Sequence, residues 1–129
     1  MATVHAREAD EKLRKGLRQF NRGQFFDAHE TWEEIWLAAP EPEKTFLQGI
    51  IQVAAAFHHY TRSNHRGTKS LLEAGLEKLE RFPTTHRGLA LEELRKSVRR
   101  WIAALAAGQD PGPAPPRIER ASASPRAKK

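Results

Sequence analysis

The most informative segment of the chain is TFLQGIIQVAAAFHHYT (residues 45–61), which contains no charged residue. Its 17 residues are too few to cross a bilayer, and its two glutamines and two histidines are too polar for the bilayer interior. The segment therefore predicts a central helix that is covered by protein on nearly every side. Pro42 suits the first turn of this helix, which we expect to end near Arg62.

Four more helices are predicted around this central one, because apolar residues recur with the period of an α-helix. Their expected bounds are about 6–21, 24–39, 64–82 and 88–107, the third of these capped by Asn64. A glycine or proline stands just beyond each helix end, namely Gly23, Pro40, Pro83 and Gly108. Five helices joined by short turns predict an all-α domain, a compact arrangement of antiparallel helix pairs at residues 1–108.

The last part of the chain, residues 109–129, is rich in proline, alanine and basic residues and has one isolated Ile118. Such a composition predicts a disordered tail. The tail carries half of the net charge of +6, so weak nucleic-acid binding is a further alternative function. No aromatic residues interleave its charges, which makes nucleic acid the least favoured partner. It would require these other basic residues to share a face with the tail: Arg14, Arg18, Arg62, Arg66 and Lys69.

The composition excludes several classes of site. The chain has no cysteine, so disulfides, thiolate zinc sites and cysteine nucleophiles are absent. The first residues, MATVHAREADEKLRKGL, carry charges at short intervals and lack the apolar core of a secretory signal. These features predict a cytoplasmic protein with no membrane partner.

The second helix places a histidine at the centre of its apolar side. At about 100° per residue, His29 lies in the middle of an arc of apolar residues, and Glu33 lies about 40° from it. The arc consists of Phe25, Trp32 and Trp36 on one side of His29 and Phe26 and Leu37 on the other. A carboxylate on a core face needs a polar partner, because an unpaired buried charge costs several kcal/mol.

The third helix offers such a partner. Gln48, Gln52 and His59 fall within about 40° of one another, among small residues that let a neighbouring helix approach. We expect this stripe to meet His29 and Glu33 in a buried or half-buried polar cluster, with Glu30 at its rim. Amide and imidazole groups supply the donors and acceptors that a buried carboxylate uses.

Three interpretations of this cluster remain open. It can be a hydrogen-bond network that fixes helix register. It can be a ligand pocket in which Glu30 or Glu33 acts with His29 or His59 as a general acid–base pair. It can also be a mononuclear metal site of His29, Glu33 and His59, which is the least supported. A zinc-protease helix would need a second histidine at position 33, and no Glu-x-x-His pair of a di-iron bundle occurs. We therefore predict no metal, and the cofactor is unknown.

Two segments resemble a known family. FNRGQFFDAHETWEEIW (20–36) and LQGIIQVAAAFHHYTRSNHRGTKSLLEAGLEKLERF (47–82) are similar to the prokaryotic domain of unknown function 309. The resemblance implies a compact all-α domain and no particular reaction. The family's characteristic polar positions correspond to His29, Glu30, Glu33, Gln48, Gln52, His59 and Asn64. Ala90 departs from the family pattern, in which an acid is expected, and the tail lies outside the resemblance.

These observations favour a small cytosolic helical protein that acts as a ligand- or partner-binding module. The alternative is an enzyme that uses His29, Glu33 and His59 as an acid–base or metal site. The ligand is an unknown small molecule or protein. A homo-oligomer is also open, because aromatic residues on short helices can seal either a monomer core or a dimer interface.

Overall fold

A computed structural model describes residues 4–112 and 114–121. It contains five helices, α1 (Val4–Asn21), α2 (Phe25–Trp36), α3 (Glu43–Thr61), α4 (His65–Leu79) and α5 (Leu91–Ala106). The predicted all-α fold is confirmed, and the predicted helix bounds differ from these by three residues at most. The side chain of Asn64 accepts a hydrogen bond from the Gly67 backbone N–H at 3.0 Å and so caps α4 as expected.

Helix α3 is the central element of the fold. It packs against both α2 and α4, while α1 packs on α2 and α5 packs on α4. Successive helices thus form side-by-side pairs, as short connections require. Most of the apolar side chains of α3 are fully buried, which explains the absence of charge in residues 45–61, the part of the helix after its first two residues. Among the described residues, no helix combines the length and the apolar character that crossing a bilayer requires.

Two glycines allow α3 and α4 to approach closely. A Cβ atom added at Gly75 of α4 would lie 2.9 Å from the backbone oxygen of Gly49 on α3. A Cβ atom added at Gly49 would lie 2.8 Å from the Leu79 side chain. Because any larger residue would push the helices apart, these two positions fix the distance between α3 and α4.

A small hairpin precedes α5 and was not predicted. Strand β1 (Thr85–His86) pairs antiparallel with strand β2 (Leu89–Ala90), and Arg87 and Gly88 form the turn. Both turn residues have positive φ angles, 53° and 75°, as a two-residue hairpin requires. The predicted start of the last helix near Gly88 is therefore corrected to Leu91, and Ala90 belongs to the end of β2.

The described part of the tail packs on the domain, which differs from the expectation of disorder. Ile118 is buried in the core beside the helices. Asn21, the last residue of α1, holds the backbone of Ile118 with two hydrogen bonds. Its Nδ2 donates to the Ile118 oxygen at 3.0 Å, and its Oδ1 accepts from the Ile118 N–H at 2.8 Å. One apolar side chain and one asparagine thus fix this segment.

The same segment also pairs with the hairpin. The Ala90 N–H donates to the Glu119 oxygen at 2.8 Å, and the Ala121 N–H donates to the Gly88 oxygen at 2.8 Å. These bonds cover the edge of β2 that the two-stranded hairpin would otherwise expose. Residues 118–121 thus bond to the helical part of the chain and to the hairpin, and residues 122–129 of the predicted tail lie outside the described residues.

Candidate functional site

The buried face of α2 is displaced from the predicted arc. Its fully buried side chains include Ala28 and Trp32, whereas Phe26 is 51% exposed and Leu37 is 72% exposed. The sequence prediction counted Phe26 and Leu37 as core residues, and this moved the centre of the arc to His29. The structure places His29 at the margin of the buried face instead.

The two polar residues of the predicted α2 cluster consequently differ in burial. The His29 side chain is 23% exposed, whereas the Glu33 side chain is 49% exposed. The expectation that Glu33 lies on a core face is therefore corrected: its carboxylate is accessible to water and needs no buried partner.

The polar stripe of α3 is not bonded to His29 or Glu33 in the part of the chain that the structure describes. Gln48, Gln52 and His59 are half-buried, and Gln52 lies beside Gly75 on α4. Within residues 4–112 and 114–121, no hydrogen bond or ion pair joins any of these three side chains to His29 or Glu33. The predicted cluster is thus not joined by hydrogen bonds or ion pairs among the described residues, and the neighbours of Gln52 and His59 are Gly75 and Asn64 instead.

His59 is held at the junction of α3 and α4. Its Nδ1 lies 3.0 Å from the Nδ2 atom of Asn64. Because an amide nitrogen only donates, Nδ1 accepts this bond, and the neutral imidazole then carries its proton on Nε2. His59 therefore supports the capping residue of α4, and the predicted His29, Glu33 and His59 set is not assembled.

His58 is the α3 histidine that reaches towards α2. Its ring centroid lies 5.2 Å from that of Phe26, whose ring also stacks on His29 at 6.1 Å. The exposed Phe26 ring thus contacts both histidines. His58 was not among the predicted site residues, since its position between an apolar face and the polar stripe gave no distinct signal.

A different cluster forms on α2 itself, from His29, Glu30 and Glu33. The His29 Nδ1 atom lies 3.5 Å from Glu30 Oε2, and its Nε2 atom lies 3.5 Å from Glu33 Oε2. One ligand atom from each residue can be chosen so that all three lie within 4.8 Å of one another. We call this cluster the α2 triad.

One atom of the triad is shielded from water but has no hydrogen-bond partner among the described residues. This atom is Nδ1 of His29. Its 3.5 Å separation from the Glu30 carboxylate exceeds the length of an ordinary hydrogen bond. A shielded polar atom without a partner costs free energy, so a bound group that pairs with this atom would stabilise the folded protein.

We predict that the triad is not needed for folding. We expect the His29→Leu, Glu33→Met double variant, in the presence of a chelator, to match the wild-type free energy of unfolding or exceed it by up to about 1 kcal/mol. The replacements remove an unpartnered polar atom and a half-exposed carboxylate. Urea denaturation checks the prediction. A loss of several kcal/mol would show instead that the cluster is part of the architecture.

Comparison with known proteins agrees with the sequence resemblance. The model of a family described as "Domain of unknown function (DUF309)" matches residues 13–71, which include the whole α2 triad. An "Uncharacterized protein" of Aquifex aeolicus (strain VF5) is 30% identical over 107 residues, covering 82% of this chain and 32% of the relative. The "Uncharacterized protein YpuF" of Bacillus subtilis (strain 168) is 32% identical over 89 residues, covering 64% of this chain and 51% of the relative. The chain therefore spans about a third of one relative and about half of the other.

Proposed function

The chain resembles the family of unknown function 309 over residues 13–71, and from this premise we propose that it is a helical binding module whose α2 triad holds a divalent transition-metal ion. The observation that carries the proposal is the convergence of an imidazole and two carboxylates within 4.8 Å. The third member of this set is Glu30, whereas the metal site considered from the sequence had His59 as its third member. The ion is the ligand that the predicted binding module would take at this face.

The donor set fits a particular class of ion. Imidazole nitrogen is a good ligand for zinc, iron, copper and nickel, and carboxylate oxygen also suits harder ions such as manganese. A mixed set of one imidazole and two carboxylates therefore favours a transition metal over magnesium or calcium. One nitrogen of His29 and one or two carboxylates leave further coordination positions for water or a second ligand.

The two ring nitrogens of His29 would have different roles. They point in different directions, so a single ion takes one of them. The other nitrogen would keep its proton and donate a hydrogen bond to the remaining carboxylate, and this bond would orient the ring. In either arrangement Nδ1 of His29 would gain the partner that it lacks among the described residues.

The surroundings of the triad suit a ligand larger than the ion. Phe26 and Leu37 are the exposed large apolar side chains of the described chain. Phe26 lies on α2 and Leu37 is its C-cap residue, and both are on the side that carries Glu33. They give the face an apolar border that an organic ligand or a protein partner would cover on binding to the metal.

The test is calorimetric titration of Zn²⁺ into chelator-treated protein. We expect one site, and a loss of at least about tenfold in affinity for each of the three variants His29→Gln, Glu30→Gln and Glu33→Gln. The affinity of the wild type should fall in acid, because protons compete with the ion for the ligand atoms. Mg²⁺ should bind more weakly than Zn²⁺.

Asp27→Asn is the matched control for this titration. It also removes one exposed carboxylate from α2, but Asp27 is outside the triad. Its affinity should equal that of the wild type. The proposal fails if the wild type releases no binding heat, or if Asp27→Asn weakens binding as much as the triad variants do.

A further inference from the structure

A second site arises where the C-terminal segment packs beside α1. The two elements enclose a concavity of about 560 Å³ between parts of the chain that are far apart in sequence. Five arginines line it: Arg14, Arg18, Arg22, Arg117 and Arg120. Glu119 is its acidic lining residue. We call this surface the arginine concavity.

Most of these arginines have no acidic partner. Arg117 pairs with Glu119 at 2.9 Å and donates to the Asn21 backbone oxygen at 3.2 Å. In the part of the chain that the structure describes, the other four arginines form no ion pair. Glu119 is thus already engaged, and a net positive charge remains over the whole concavity.

The arginines follow a row along α1. Arg14 and Arg18 are four residues apart on the helix, and Arg22 follows just beyond its end. Four residues correspond to a rise of about 6 Å, so these cations lie at regular steps. Like charges at this spacing repel each other, and a bound anion would remove the repulsion. The row and the tail arginines together suit an extended anion better than a single small one.

We propose that the arginine concavity binds the phosphodiester backbone of a nucleic acid, without reading its sequence. The planar guanidinium group donates paired hydrogen bonds that match a phosphate group. Among the residues that the structure describes, no aromatic side chain lines the concavity, so these residues offer the bases no stacking surface and phosphate contacts dominate. The sequence beyond Ala121 adds Arg126, Lys128 and Lys129 and no acid, which lengthens the run of positive charge along the chain.

From the sequence, nucleic acid was the least favoured of the possible partners. The sequence analysis required the basic residues of the first helix to share a face with the tail. The structure brings Arg14 and Arg18 beside Arg117 and Arg120, because Asn21 and the buried Ile118 hold the segment against α1. Arg62 and Arg66 do not line the concavity.

Fluorescence anisotropy with labelled duplexes of about 20 base pairs, DNA and RNA, tests the proposal on the full chain. Four phosphate contacts predict a slope of about −3.6 for the logarithm of affinity against the logarithm of salt concentration, or a loss of roughly 150-fold between 50 and 200 mM. The Arg18→Glu, Arg120→Glu double variant should bind at least about tenfold more weakly, with a slope shallower by about two.

A matched variant separates this site from general charge. Arg62→Glu with Arg66→Glu makes the same change in net charge at two exposed arginines outside the concavity. It should stay within about threefold of the wild type, because distant charges are screened by salt. Circular dichroism confirms that both double variants are folded, and Arg18→Gln with Arg120→Gln repeats the test with a milder change.

Three outcomes would overturn the proposal. The first is no duplex binding by the wild type at 50 mM salt. The second is equal weakening by the Arg62, Arg66 pair and the Arg18, Arg120 pair. The third is displacement of the duplex by inorganic phosphate at an equal concentration of phosphate groups, which would show that the arginines take single phosphates rather than an extended backbone.

Discussion

Replacing Arg95 by methionine is expected to lower the free energy of unfolding by about 3–5 kcal/mol. The Arg95 side chain is only 6% exposed, and its Nε donates to Glu92 at 2.7 Å. One guanidinium nitrogen donates to the backbone oxygens of Leu79 and Phe82 at 2.7 and 2.8 Å. These oxygens lie at and beyond the end of α4, where a helix leaves carbonyl groups without partners. Methionine fills the space but leaves both carbonyls unsatisfied.

Arg99 provides the control for this variant. It lies one turn further along α5 and also pairs with Glu92, at 3.6 Å, but its side chain is 43% exposed. Arg99→Met should therefore cost less than about 1 kcal/mol. Arg95→Lys should fall between the two, since one ammonium group cannot reach Glu92 and both carbonyls in the geometry of the guanidinium fork. Urea denaturation of the three variants decides, and a loss below about 1 kcal/mol in Arg95→Met would contradict this role.

The Arg95 contact also makes a prediction about acid. The hydrogen bond from Arg95, with the nearby charge of Arg99, lowers the pKa of the Glu92 carboxyl below its ordinary value. A carboxyl whose pKa is lower in the folded state stabilises that state above its unfolded pKa, and the contribution is lost as the pH falls through the folded pKa. The difference in stability between wild type and Arg95→Met should therefore become smaller in acid, while the loss from the two carbonyls persists.

Gly16→Ala is expected to destabilise the fold by about 3 kcal/mol. A Cβ atom at position 16 would overlap the indole of Trp32 and lie 2.6 Å from its Cδ1 atom. The indole cannot move away easily, because it is fully buried and its Nε1 donates to the Leu13 oxygen at 3.2 Å. Helix propensity alone predicts the opposite sign, since alanine is favoured over glycine by about 1 kcal/mol in a helix.

Lys15 is the position at which the effect of helix propensity can be measured without a steric clash. It is the exposed neighbour of Gly16 on α1. The difference in unfolding free energy between Lys15→Ala and Lys15→Gly measures the propensity term alone, and alanine should be the more stable. If Gly16→Ala is also more stable than the wild type, the close contact between α1 and Trp32 does not exist as described.

The helical part of the fold could be predicted because its signals are local. The apolar period locates each helix, and Gly23, Pro40 and Gly108 mark ends that backbone geometry enforces. The tail could not be predicted in the same way. The packing of its described part depends on the burial of Ile118 and on Asn21, which bonds to the Ile118 backbone from 97 residues away in the sequence. Composition measures neither of them.

The site was predictable in its residues but not in its geometry. A helical wheel finds His29 and Glu33 on one side of α2, yet it cannot show which apolar residues remain exposed. Phe26 and Leu37 are apolar and exposed, so the arc they defined was displaced from the core. The predicted set contained His59, whereas the α2 triad contains Glu30 instead. The wheel gives directions within one helix and not the position of the neighbouring helix, so it could not show this.

The most direct test of the central claim is anomalous X-ray diffraction from crystals grown with Zn²⁺, measured on both sides of the zinc absorption edge. The α2 triad predicts an anomalous peak bonded to one nitrogen of His29 and to a carboxylate oxygen of Glu30 or Glu33, at about 2.0–2.2 Å. It also predicts that the peak is lost in crystals of His29→Gln. Well-ordered density for the three side chains with no anomalous peak among them would contradict the account.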